Sequence, residues 1–322
     1  MAHTGSDAGS LREDSCTPPP TNEGPTMSRP PSFLNRPAPK VRGPRQITAI
    51  DTTCEGVWLM QALCGIEQLP SALLLRPYVS ASGRPTGHPG IAVLQEAGAI
   101  MNDETVHPTV GRWLEILSAP DIALTVDVKR PGVEFMRMVI ARRDGRHAAI
   151  SRGGPGDADN ITIEEVGSVP SLRVLFERIM VLCDRGRGPV EAASLSPITV
   201  RTADLVDGFA RIVAGDHTPA AALSALNLSA EQRRILTLAA DQPLMEVAFA
   251  LMVHDSRGDH VAIASAAVTD TVEGRIVTGP ILGEDRTWWT QIVPGTSDAG
   301  GAALRALVAT VGTTWERHSR YK

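Results

Sequence analysis

The sequence predicts an α/β (α+β) fold of two quasi-twofold-related halves, each an antiparallel sheet flanked by helices, with a small helical cluster between them. Three observations carry this. First, the order helix, proline, run of strands, helix occurs twice, at residues 108–183 and again at 230–311. Second, the strand runs alternate: Ile122, Leu124, Val126 and Val128 are interleaved with Ala123, Thr125, Asp127 and Lys129, the period of a half-buried strand. Third, a Gly/Pro/Ser-rich connector at 184–197 divides the two runs, so the halves are 46–183 and 198–312. Letter-by-letter identity between them is poor; the repeat is one of plan, and the halves either share a sheet or pack across a pseudo-twofold.

The chain opens with a Pro-, Ser-, Thr- and Gly-rich stretch, 1–45, too poor in apolar surface to offset the entropy of ordering and therefore expected to be disordered. A short strand is predicted at 46–48. Thr52 and Glu55 have capping-box spacing ahead of an apolar helix, 56–64, that Gly65 stops. Residues 73–78 read as a strand ending at Pro77. His88-Pro89 and His107-Pro108 each announce a helix, with proline suited to the first helical position because its missing N–H has no partner there. The second of these, 108–118, places Val110, Trp113, Leu114 and Leu117 on one face.

Strands follow at 122–128, 135–143, 146–151 and 161–166, with Asp144-Gly145 a good two-residue hairpin turn. An amphipathic helix, 171–183, carries Leu172, Leu175, Phe176, Ile179 and Leu182. The cluster 203–240 holds three helices: one capped by Thr202 and carrying Leu205, Phe209 and Ile212, a short one from Pro219, and one opened by a Ser229/Gln232 capping box. Strands are predicted at 245–254, 260–270, 275–282 and 287–293, with one of Trp288 and Trp289 in the core and the other exposed, then a helix over 298–311. Residues 313–322 are polar and expected to fray.

Composition excludes several classes. A net charge of −5 argues against a nucleic-acid binder, which would show a basic stripe. The N-terminus lacks the apolar core of a signal peptide, and no apolar run is long enough for a bilayer. Four cysteines without CxxC spacing fit a reducing cytoplasm.

A search for chemistry leaves little. His254 and His260 flank a turn with Asp255 and Asp259 between them, but this is not a recognised metal-ligand spacing. Cys54 lies at a helix start, which lowers a thiol pKa in principle. Gly153-Gly154-Pro155-Gly156 lacks the Lys-Ser/Thr and the following helix of a phosphate loop. No catalytic, cofactor or metal residue is assigned. The reading as a small hydrolase-like or metal-binding enzyme, using the His254/His260 turn or Cys54, is the alternative to a binding protein.

Longer motifs add a resemblance. The run from Glu55 to Gly65 (EGVWLMQALCG), the Leu75-Arg76-Pro77-Tyr78-Val79 segment, His88-Pro89, His107-Pro108-Thr109-Val110 with Trp113-Leu114, and the turn Gly295-Thr296-Ser297-Asp298-Ala299-Gly300-Gly301-Ala302 resemble, in order and spacing, the EspG family, cytosolic chaperones of mycobacterial ESX (type VII) secretion. The similarity spans roughly 46–312, with Glu55 where Asp is common and a tail longer than usual. It implies an α/β fold of two related halves and no catalysis or cofactor. It implies a specificity chaperone that binds the tip of the PPE protein in a PE–PPE heterodimer and keeps it soluble for secretion, with a possible homodimer when no client is present. A structural subunit of the secretion membrane complex is a further reading, opposed by the missing apolar span. By the same resemblance the client-binding residues lie in three places: the loop Lys129, Arg130, Val133 and Phe135; the strand around Ser265; and the helical cluster at Asn227, Leu228, Gln232, Arg233 and Leu236.

Overall fold

The computed structural model describes residues 47–75, 85, 87–153, 159–184, 187–256 and 258–321. The tail expected to be disordered and most of the glycine loop lie outside them.

The first strand, β1 (Ala49–Thr53), runs into α1 (Cys54–Cys64). The cap is Thr53, the last residue of β1, whose hydroxyl accepts from the Gly56 amide, and not Thr52. Gly65 ends α1 with φ of 68°, a left-handed conformation that glycine adopts without a Cβ penalty. The strand expected at 73–78 is not formed over its described part. Ser71–Leu73 is a single 3₁₀ turn, and Leu74 is left-handed, which stops an extended run. Helix α2 (Gly90–Glu96) starts one residue after Pro89, and α3 (Pro108–Ser118) has proline at its first position. The Nδ1 atoms of His88 and His107 accept from the Gly90 and Thr109 amides; His107 is the N-cap of α3, whereas His88 stands one residue before Pro89, the N-cap of α2.

Strands β2 (Ile122–Arg130), β3 (Val133–Arg143), β4 (Arg146–Arg152) and β5 (Asn160–Glu165) form the first meander, closed by α4 (Leu172–Cys183). The second half repeats the plan with one strand the sequence reading missed, β6 (Ile198–Arg201). Helices α5 (Thr202–Val213), α6 (Pro219–Leu223) and α7 (Ala230–Asp241) follow. The meander is β7 (Met245–Asp255), β8 (Gly258–Thr271), β9 (Gly274–Leu282) and β10 (Trp288–Pro294), and α8 (Ser297–Ala309) closes it. The Ser229/Gln232 capping box forms as the spacing predicts.

The halves share one sheet. Among the described residues its order is β1-β5-β4-β3-β2-β7-β8-β9-β10-β6, and β2 pairs antiparallel with β7 at the seam. Five strands stand on each side of that seam. The cluster α5–α7 belongs to the second half, where it occupies the place that α1–α3 hold in the first.

Strand alternation sorts the side chains onto two faces. Leu124, Val126, Ile140, Phe249, Leu251 and Val268 point to one face, where they pack with residues of α4 and α8 into a core spanning both halves. On the other face, Ala123, Val139, Ile150 and Ile163 pack beneath α1–α3, and Ile276 and Ile292 pack beneath α5–α7. Helices α4 and α8 cross closely because Gly300 and Gly301 carry no Cβ: one built on Gly301 would stand 2.7 Å from the Cα of Arg173.

Three expectations fail for non-local reasons. The segment 313–321 does not fray: Trp315 is 1% exposed and completes the shared core. Helix α5 buries Leu205, but Phe209 is exposed because α5 packs on the edge of the sheet. Neither Trp288 nor Trp289 is core. Both are half-buried at the outer end of β10, where the Arg201 guanidinium lies 5.9 Å from the Trp289 ring.

Candidate functional site

Among the described residues, the sheet face opposite α4 and α8 is covered at its flanks. Helix α3 lies over β3 and β4, and α7 lies over β8. Between them the seam strands carry small or polar side chains toward solvent. Register places Thr125 beside Ala250, Asp127 beside Ala248, Ala250 beside Ser265 and Ala248 beside Ala267, all on this face. Ala248 and Ser265 are exposed, and Thr125, Asp127, Ala250 and Ala267 are half-buried. The result is a trough two to three strands wide, on the order of 10–15 Å at ordinary interstrand spacing.

One end of the trough is apolar. An irregularity in β8 opposite Leu251 leaves Val261 and Ile263 68% and 94% exposed on strand positions of the same parity as Ser265. A sheet face of small residues flanked by helices and ending in exposed β-branched side chains is incomplete as a solvent surface and suits an apolar, helical partner.

The other end is polar. Lys129 is exposed and lies 3.7 Å from Glu246. Arg137 forks onto Asp127, with Nε 2.6 Å from Oδ1, donates to the Ala72 carbonyl, and lies 5.0 Å from the ring centroid of the 45%-exposed Phe135. Among the residues assigned from sequence, Lys129, Phe135 and Ser265 therefore come together on this trough. The side chain of Val133 lies outside the described part of the structure.

The rest do not join them. Arg130 is half-buried and its electrostatic neighbours are Arg187, Cys183, Asp184 and Asp270, so it belongs to an internal charge network. In that network Arg275 donates Nε to Asp270 at 2.7 Å and Nη2 to Asp184 at 2.5 Å, and Arg187 donates to Asp270 at 3.1 Å. Leu228 and Leu236 are core residues beneath α7, 8% and 3% exposed. Gln232 is committed to the capping box and to the Ser196 carbonyl, and Arg233 donates to the Leu228 carbonyl. Asn227 is exposed on the turn before α7.

The reactive-centre alternative loses its geometry. In the β7–β8 hairpin His254 pairs with Asp259, Nδ1 to Oδ1 at 2.5 Å, and His260 with Asp255 at 3.2 Å. The register sets His254 opposite Asp259 but His260 opposite Val253, so the two pairs point to opposite faces and do not converge. Among the described residues no group of three or more His, Cys, Asp or Glu is placed to hold a metal. The Cys54 thiol is pushed up rather than down, first by burial and then by Asp159, against the partial relief given by Arg152.

The signal for the trough was present in sequence. Ala248, Ala250, Ser265 and Ala267 are small residues at alternate positions of otherwise apolar strands, where a covered face would hold larger side chains.

The family model described as the EspG family matches residues 53–306. The chain is 27% identical over 267 residues to the ESX-2 secretion-associated protein EspG2 of Mycobacterium tuberculosis, covering 80% of this chain and 94% of the relative. It is 25% identical over 313 residues to the ESX-5 secretion-associated protein EspG5 of the same organism, covering 85% and 97%. Its fold superposes with a TM-score of 0.73, at 23% identity and over 84% of this chain and all of the other, on the M. tuberculosis type VII secretion system chaperone EspG5 solved in complex with a PE25–PPE41 dimer.

Proposed function

The chain belongs to the EspG family, and on that premise we propose that it is a specificity chaperone of the cytoplasm that binds a PE–PPE heterodimer through the tip of the PPE protein and holds it soluble for type VII secretion. The observation that carries this reading is the open trough of Thr125, Ala248, Ala250, Ser265 and Ala267 between α3 and α7, ending in exposed Val261 and Ile263. A helical tip laid there would remove its apolar surface and that of the trough from water together, at roughly 25 cal/mol per Å² of apolar area. The polar end, with Lys129, Glu246 and the Asp127–Arg137 pair, would set register more than affinity. The reading assigns the protein no catalytic step. Among the described residues no helix is long and apolar enough to cross a membrane, which agrees with a partner met in solution.

Co-expression with a tagged PE–PPE pair and size-exclusion chromatography test it. The expected result is a stable ternary complex with at least one pair of a panel. A panel in which every PE–PPE pair elutes apart from the chaperone would overturn the reading.

A further inference from the structure

We propose that the cleft between the C-terminal half of α3 and the β3–β4 turn is a second docking site, which takes an acidic polypeptide segment of a partner protein. The cleft has a volume of about 390 Å³ and is lined by Arg112, Glu115, Ile116, Arg143, Asp144 and Arg146. Three arginines and two acidic residues thus line it, in a chain whose overall charge is −5. Arg143 is already engaged: Nη1 donates to the Glu115 carbonyl at 3.2 Å and Nε lies 3.9 Å from Asp144. Arg112 and Arg146 are exposed and have no hydrogen bond or ion pair among the described residues. Two planar donor forks open to one concavity are the arrangement that pairs with carboxylates bidentately, and arginine does this better than lysine.

The surroundings select a polypeptide over a compact anion. Helix α3 presents the negative end of its dipole here, and Glu115 and Asp144 stand on the rim. A single doubly charged phosphate would meet that repulsion at one point. Singly charged carboxylates spaced along a chain reach Arg112 and Arg146 while passing the rim acids by. The cleft is at the β3–β4 end of β3 and Phe135 is near the other, so strand length on the order of 26 Å separates it from the trough's polar end. The trough's apolar end is nearer: the register carries Arg142 across Ile122 and Val253 to His260, so Val261 stands about level with the β3–β4 turn and three strands away, on the order of 15 Å. The charge of the cleft is set by its own lining residues and not by what fills the trough.

The test uses the full chain and a fluorescein-labelled deca-glutamate peptide, read by anisotropy at low salt. Overall charge repels this probe, so saturable binding reports a local site. Arg112→Glu with Arg146→Glu is expected to weaken binding by about tenfold or more, whereas Arg211→Glu with Arg305→Glu, the same charge change at other exposed positions, leaves it within about twofold. Equal thermal midpoints for the two double variants exclude a folding defect at these exposed sites. Absence of saturable binding by the unaltered chain, equal loss in both double variants, or full displacement of the peptide by micromolar inorganic phosphate would each overturn the proposal.

Discussion

Trp315 donates its indole N–H to Nε2 of His147 at 3.1 Å, and the two rings stack 6.1 Å apart at 17° between planes. This pair fastens the segment after α8 to β4, and it has company. Arg142 donates to the His318 carbonyl, His318 meets the His254 carbonyl at 2.9 Å, and the Arg320 amide donates to Asp121 at 3.1 Å. One short segment thereby touches β3, β4, β7 and the residue that leads into β2, on both sides of the seam.

Acceptance from the indole requires His147 to be neutral. Burial, then the nearby Arg142 and Arg178 cations, hold its pKa down to about 4 against an ordinary 6.5, with Glu316 opposing. Because the folded-state value is the lower one, the unfolded chain binds the proton first. The stability His147 contributes is therefore full above pH 6.5 and is lost as pH falls toward 4. The span of about 2.5 pKa units sets an upper bound of about 3 kcal/mol on that loss. Thermal melts between pH 7 and pH 4 are expected to fall more steeply for the unaltered chain than for His147→Gln, which can accept the indole bond and does not titrate. Parallel pH profiles would refute this.

Asp270 is fully buried and its two oxygens are held by Arg275 and Arg187. Removing Arg275 takes from Asp184 its ion pair and leaves the buried Asp270 to Arg187 alone, so Arg275→Met is expected to cost about 3–5 kcal/mol in urea unfolding. Adding Asp270→Leu to it removes one under-compensated buried charge, and the double variant should be less destabilised than the two single losses added together. Strict additivity would mean that the two side chains do not act as a pair.

Much of this was legible from local patterns. Helix α3 matches its predicted bounds, the Ser229/Gln232 capping box forms, and the eight strands of the two meanders predicted at 122–128 through 287–293 all lie within observed strands or one residue from their ends. What was not legible depends on contacts between distant segments. Periodicity marks Leu228 and Leu236 as apolar positions of a helix and its lead-in, but only the docking of α7 on β8 and β9 decides that they are core. Trp315 sits in a polar sequence, and its burial follows from a pocket built by β4 and α8. Thr52 and Thr53 are equivalent caps by composition and both lie in the β1–β5 ladder; the point at which the chain turns from strand to helix decides between them, and there the Thr53 hydroxyl accepts from the Gly56 amide. Of the trough, the sequence reading reached Lys129, Phe135 and Ser265 through family resemblance, while the small-residue alternation of β7 and β8 went unused.

The α4–α8 crossing predicts opposite signs for two glycine substitutions. A Cβ at Gly301 would meet backbone atoms of Arg173 at 2.7 Å, and backbone cannot move aside cheaply. Gly301→Ala is expected to destabilise by about 1–3 kcal/mol through overpacking. Gly111, within α3, has nothing within 4 Å of the same built atom. Gly111→Ala should stabilise by up to about 1 kcal/mol, since alanine loses less backbone entropy in a helix. Chemical denaturation of both variants checks the pair, and a Gly301→Ala chain as stable as the parent would show that the helices can part.

The trough and the α7 core make separable predictions about client binding. Ala248 and Ser265 are exposed on the open face, so Ala248→Arg or Ser265→Arg places a long charged side chain where a helical tip would lie and disturbs no packed neighbour. Co-elution with the PE–PPE pair is expected to be lost, with the thermal midpoint unchanged within about 2 °C, in line with the small effect of surface substitutions away from structural features. Leu228→Arg does the reverse in kind. It forces a cation into the core formed with Leu236 and Ile276, and the expected outcome is a loss of about 3 kcal/mol or more of stability, with any loss of client following from unfolding. The discriminating measurement is client binding at a temperature where Leu228→Arg remains folded. Retained binding there, beside lost binding in Ala248→Arg, assigns recognition to the trough. Lost binding in folded Leu228→Arg with retained binding in Ala248→Arg would move the client site from the sheet seam to the turn before α7.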